Sequence, residues 1–145
     1  PFEKYGVELI AYCLMGNHFH LLLYQEADTA AVTKLMRSVS TAYTMYFNKR
    51  YGQQGHLFQS VFRAAHISNE PYLLHISRYI HLNPVTAKIT ETVQAYPWSS
   101  YPAYLRQMPA PAWLYYWIRF GIPACILAVG IWWLLTSVTG AVQGV

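Results

Sequence analysis

Two apolar runs of strand length, separated by Gly16-Asn17, constrain this chain more than any other feature. Residues 7–15 (Val-Glu-Leu-Ile-Ala-Tyr-Cys-Leu-Met) read as a buried strand, and His18 to Tyr24 as a second. A Gly-Asn pair between two such runs closes an antiparallel hairpin. Residues two apart in a strand project from the same face, so His18 and His20 turn their imidazoles one way and Phe19 the other. Paired imidazoles on a rigid strand suit Mn²⁺, Zn²⁺ or Co²⁺. His-x-His alone is weak evidence for a ligand pair, and packing or chance accounts for it more readily.

Downstream the periodicity changes. Asp28 and Thr29 supply a helix start, and Val32, Leu35, Val39, Tyr43 and Tyr46-Phe47 follow in steps of three and four. That spacing predicts a helix ending near Tyr51-Gly52, with Lys34, Arg37 and Arg50 largely off its apolar face. Residues 52–68 read as loop with short strand character around 58–62. Ser68 or Asn69 caps a second helix that runs to about Leu82 and stops at Pro84. Residues 96–106 form an aromatic, turn-rich closing segment.

The second helix carries the other candidate residues. Positions four apart lie about 40° apart around a helix, so Tyr79 and Asn83 share a face. Asn83 can offer a neutral amide oxygen to a metal, and Tyr79 stands one turn away. A free tyrosine is a poor nucleophile at neutral pH, and a cation that neutralises the attacked phosphate makes it a competent one. By periodicity Tyr43, Tyr46 and Tyr72 are equally eligible, and each also reads as a half-buried core residue. His81 projects away from the Tyr79–Asn83 face, and neither it nor His75 receives a role.

Charge is distributed unevenly. Between Ala31 and Lys88 stand the bases Lys34, Arg37, Lys49, Arg50, Arg63, Arg78 and Lys88 against the single acid Glu70. Such a section suits a polyanionic partner, or a solvated basic face. Cys13 and Cys125 are far apart and make no CxxC motif, which points to a reducing compartment. After Arg119 no charged residue follows, and Phe120 to Val138 is almost unbroken apolar sequence. As a helix it would extend about 28 Å, close to the ~30 Å hydrocarbon core. Trp113, Tyr115, Tyr116 and Trp117 precede it like an interfacial belt. A membrane helix over 120–138, a buried helix, and a tail acquired by gene truncation all fit.

Four ordered blocks carry a resemblance. Tyr12 to Leu23 (Tyr-Cys-Leu-Met-Gly-Asn-His-Phe-His-Leu-Leu-Leu), Tyr51-Gly52 through Gln59, Arg78 to Val85, and Tyr96 to Tyr101 resemble the bacterial REP-associated tyrosine transposases. These are single-tyrosine HUH transposases, and the likeness spans roughly residues 3–114. It implies a ferredoxin-like α+β sandwich of antiparallel sheet and helices, in a catalytic domain over residues 1–110 followed by an apolar tail over 111–145. It implies His18, His20 and Asn83 as ligands of Mg²⁺ or Mn²⁺, and Tyr79 as the nucleophile. The implied reaction is cleavage and rejoining of single-stranded or hairpin DNA through a 5′-phosphotyrosyl link. Arg37, Lys49, Arg50, Arg63 and Arg78 are the candidate phosphate contacts, each equally readable as surface charge.

The pattern departs from the family in three places. Gly16 stands where proline is usual, and Val61 where a base is usual. The resemblance also implies a first strand and helix ahead of Pro1. Without them the His18–Tyr24 strand would have an open edge inviting a second copy of the chain, as in a homodimer. The remaining readings are a DNA-hairpin-binding relic without activity and a truncated copy anchored to the inner membrane. The default location is the cytoplasm.

Overall fold

A computed structural model describes residues 2–25, 28, 30–105, 107 and 128–134. Thr29, Cys125 and most of the 111–145 tail lie outside the described residues. The elements are β1 (Val7–Leu14), β2 (His18–Gln25), α1 (Ala31–Tyr51), β3 (Arg63–Ile67), α2 (Glu70–Thr86), the single turn α3 (Tyr101–Tyr104) and β4 (Ala128–Leu134). The expected α+β class holds: an antiparallel sheet of order β1-β2-β4-β3 is covered by α1 on one face and α2 on the other.

The hairpin forms where the sequence places it, with Met15 N–H donating to His18 C=O at 2.8 Å across the turn. The apolar run of β1 does not simply alternate, because the register shifts between Leu9 and Ala11. Ile10 is therefore an extra residue, a bulge that moves the following side chains to opposite faces. Val7, Leu9 and Tyr12 pack toward α1, whereas Ile10, Ala11 and Cys13 pack toward α2. The Tyr104 hydroxyl donates to the Ile10 carbonyl, filling an acceptor at the irregular point in the ladder. Along β2, Phe19, Leu21 and Leu23 face α1, and Leu22 and Tyr24 face α2.

Both long helices begin as the sequence indicates. Asp28 Oδ1 accepts the Ala30 N–H at 2.9 Å and Gln25 Oε1 the Val32 N–H at 3.1 Å, so two orphan amides at the start of α1 have partners. Gly52 closes α1 at φ 64°, where a side chain would cost strain. Asn69 caps α2 through Oδ1 on the Tyr72 N–H at 2.9 Å. Pro84 does not stop α2, which runs on to Thr86. Pro84 is among the most deeply buried side chains, and packing outweighs the ladder bond that proline cannot make.

Two other expectations are corrected. The short strand lies at Arg63–Ile67, and of residues 58–62, where strand character is expected, only Phe58 forms a β-bridge. Within the apolar stretch for which a helix over 120–138 is one reading, Ala128–Leu134 instead form a strand. The rest of that stretch lies outside the described residues, and no described helix is long and apolar enough to cross a membrane. This strand takes the place beside β2 that the sequence assigns to a partner ahead of Pro1. Leu22 and Ala65 both pair with Gly130, so β4 joins β2 to β3. The β2 edge expected to be open for a second copy is thus hydrogen-bonded within this chain. The free side of β1 is also partly covered. Leu14 N–H donates to Trp98 C=O at 2.8 Å, Ser100 N–H to Tyr12 C=O at 3.0 Å, and the Tyr96 hydroxyl to Leu14 C=O at 2.6 Å.

A chain ending at residue 127 should lose amide protection throughout β3, whose sheet partner is β4, while β1–β2 pairing survives. Hydrogen–deuterium exchange reads this directly, and unchanged protection of residues 63–67 would show that β4 is not that partner.

Candidate metal and tyrosine site

Side-chain alternation along β2 turns His18 and His20 toward the α2 face. Their rings meet edge to face with centroids 4.9 Å apart. His18 is fixed by its neighbour, because Nδ1 lies 2.7 Å from Asn17 Oδ1. An amide oxygen only accepts, so Nδ1 carries the hydrogen and Nε2 keeps its lone pair. Asn17, read from sequence as a turn residue, is thus also an orienting partner of the kind that metal-binding histidines use.

Across from the strand, α2 presents Tyr79 and Asn83. The Tyr79 ring sits 5.8 Å from His20, centroid to centroid, in a T-shaped contact. Asn83 Nδ2 donates to the Tyr79 C=O at 2.8 Å. Its nitrogen being engaged there, the amide turns Oδ1 toward His20, to which it is hydrogen-bonded. Of the residues named from sequence, His20 therefore meets His18, Tyr79 and Asn83. Among the described residues no cluster of three or more His, Cys, Asp or Glu occurs. Any ion held here would depend on the amide of Asn83 as its third protein donor.

Electrostatics favour neutral imidazoles. His20 is only 2% exposed. Burial, with repulsion from His18 second, pushes it down to about 4 against an opposing hydrogen bond that its ring donates to Asn83. Burial lowers His18 as well. Both rings are unprotonated at neutral pH, the state in which imidazole binds metal. The donor set of two imidazoles and an amide carries no charge, so a divalent cation would retain its full charge for an anionic substrate. Tyr79 is 40% exposed, so the residue is partly open to solvent.

The other tyrosines separate clearly. Tyr43 and Tyr46 lie exposed on α1, which packs on the opposite face of the sheet. Tyr72 lies two helical turns from Tyr79, roughly 10 Å along the axis. The bases divide as well. Arg78 adjoins Tyr79 in α2. Arg63 pairs with Trp132, which pairs with His20, so Arg63 lies in the His20 row two strands away, about 10 Å. Arg37, Lys49 and Arg50 are on α1 and are not brought to the histidines; all five bases are exposed. Lys34, by contrast, is engaged with Asp28 at 2.7 Å.

The match to the family model described as "Transposase IS200 like" covers residues 2–83, more than half of the chain, and ends on Asn83. The chain belongs to the IS200-like transposase family. Its class is therefore a DNA-processing enzyme whose partner is DNA. No curated protein and no solved structure matches the chain. His18, His20, Tyr79 and Asn83 all fall inside the matched residues, whereas the closing segment 96–104 lies beyond them.

Sequence reasoning missed His81 and Ser100. Burial pushes His81 down to about 4, against a backbone hydrogen bond to Ser77 that raises it. The unfolded chain, with histidine near 6.5, binds more protons than the folded one between pH 6.5 and 4. Stability should then be complete above pH 6.5 and fall as pH drops through this window. His81 alone would contribute on the order of 3 kcal/mol. Urea midpoints at pH 7, 5.5 and 4.5 test this, and a flat profile would contradict neutral buried histidines.

Proposed function

We propose that the chain is a divalent-metal-dependent strand transferase acting on single-stranded or hairpin DNA, with Tyr79 as the nucleophile. The observation that carries this reading is the convergence of His18, His20 and Asn83 beside Tyr79 in a chain of the IS200-like transposase family. His18, His20 and Asn83 would hold Mg²⁺ or Mn²⁺. When bound, such an ion neutralises a non-bridging phosphate oxygen and stabilises charge in the displacement.

The chain's own residues supply the rest. The Tyr79 oxygen attacks the scissile phosphorus and gives up its proton as the new O–P bond forms. The 3′-oxygen departs and takes up a proton, leaving a 5′-phosphotyrosyl link and a free 3′-hydroxyl. Rejoining is the reverse displacement, so no nucleotide triphosphate is consumed. Asn83 would have two tasks: its oxygen would be a ligand of the ion, while its nitrogen donates to the Tyr79 backbone carbonyl. Arg78 and Arg63 are the bases nearest in sequence and in sheet register to the site, and we assign them to phosphates flanking the scissile one. Arg37, Lys49 and Arg50 would engage more distant backbone. A hairpin formed by a repeated palindrome, with a short unpaired flank, is the substrate that this division of bases and the family resemblance favour.

With a labelled hairpin oligonucleotide and Mn²⁺, the protein should form a covalent adduct that resists denaturing gel conditions. Tyr79→Phe should abolish the adduct without weakening hairpin binding, and EDTA should do the same. Adducts that persist in Tyr79→Phe would remove the nucleophile assignment. Binding without an adduct under either metal would identify a DNA-hairpin-binding relic.

A further inference from the structure

On the face of α2 opposite Tyr79, His81 makes a directional contact with the closing segment. His81 is two residues beyond Tyr79, about 200° around the helix, and is buried. Its Nε2 lies 2.7 Å from Ser100 Oγ, and its other nitrogen is hydrogen-bonded to the Ser77 backbone. The rings of Tyr101 and Tyr104 enclose it at centroid distances of 5.4 and 5.6 Å. Ser100 is in turn fastened to β1. Its N–H donates to Tyr12 C=O at 3.0 Å, and its Oγ accepts the Tyr12 N–H at 3.0 Å. The next residue of β1, Cys13, is the register partner of His20.

These contacts close a circuit. From Tyr79 it runs through α2 to His81, across to Ser100, into β1 at Tyr12–Cys13, over to His20 on β2, and back to the Tyr79 ring. The remaining α2 core contacts near the site are aliphatic, chiefly Leu73, Ile76 and Ile80. Apolar burial is non-directional and tolerates small rotations of a helix. A hydrogen bond to a fully buried hydroxyl does not, because misalignment leaves a buried polar group unsatisfied. A rotation of about 10° moves a side-chain tip 5–6 Å from the helix axis by about 1 Å. Misplacement on that scale can slow an enzyme about 100-fold.

We infer that His81 is a positioning residue: through Ser100 it sets the rotation of α2 and so aims Tyr79 and Asn83 at the histidine pair. His81 touches neither DNA nor metal in this role. The inference rests on the reading of Tyr79 and Asn83 as site residues, and it draws in Ser100, which lies outside the family match.

Three variants of the full chain, His81→Leu, His81→Gln and Ser100→Ala, test it with two readouts. The first is the nuclear Overhauser effect between the Tyr79 and His20 rings in metal-free protein. The second is the single-turnover rate of adduct formation at saturating hairpin. His81→Leu should weaken the ring contact and slow adduct formation about 10- to 100-fold with unchanged hairpin binding. His81→Gln, whose amide can still meet Ser100, should recover most of both. A folded His81→Leu variant with wild-type ring contact and rate overturns the inference. If His81→Leu fails to fold, Ser100→Ala keeps the imidazole in place and decides by the same two readouts. Should the ring contact depend on His81 while even wild type forms no adduct, the tie stands and the nucleophile reading falls. Should an adduct form at a rate that ignores all three substitutions, the nucleophile reading stands and the tie falls.

Discussion

Backbone pairing of β2 along both edges is the constraint on which the rest of the structure depends. β1 holds one side and β4 the other, so β2 cannot slide or roll without breaking two ladders. A shift of one residue would also exchange its faces, placing Phe19, Leu21 and Leu23 where His20 and Leu22 now lie. The apolar residues on both faces therefore fix the register, and the register fixes the histidines. His20 is directed by the same alternation that buries Leu22 and Leu23.

The second half of the site is delivered by a helix, and a helix on a sheet has more freedom than a strand within one. α2 is located along its axis by the Asn69 cap and by the burial of Leu73, Ile80 and Pro84. Its rotation is referenced to β1 through His81 and Ser100. The closing segment therefore does more than cover an edge. It ties the helix that carries the tyrosine to the strand that pairs with the histidines. The polar groups in this region are satisfied: among the described residues no buried side-chain nitrogen or oxygen lacks a hydrogen-bond partner. Full satisfaction is what makes a buried polar tie specific instead of merely costly.

What can be read from sequence follows the range of the interactions involved. The hairpin, the Asp28 and Asn69 helix starts and the Gly52 stop are local, written in neighbouring residues, and they stand where expected. The shared face of Tyr79 and Asn83 follows from helical period alone. That this face meets the His18–His20 pair needs the family resemblance, because no local pattern spans the sixty residues between them. β3 escapes a sequence reading for a related reason. Arg63 to His66 are all exposed, so no alternation marks the strand, and its partner lies in the tail. The tail itself reads as a helix because a nineteen-residue, almost unbroken apolar stretch suits either a helix or a central strand buried on both faces. The sheet position beside β2 decides between them for Ala128–Leu134. Pro84 illustrates the limit of a breaker rule: local sterics stop an isolated helix, and burial carries this one two residues further.

The proposed binding of one cation by His18, His20 and Asn83 beside Tyr79 is tested most directly by pulsed electron paramagnetic resonance of Mn²⁺ added to the full chain. Nitrogen couplings from two histidine rings are expected, reduced to one in His20→Ala. A spectrum of Mn²⁺ coordinated by water alone, without histidine nitrogen, would contradict it.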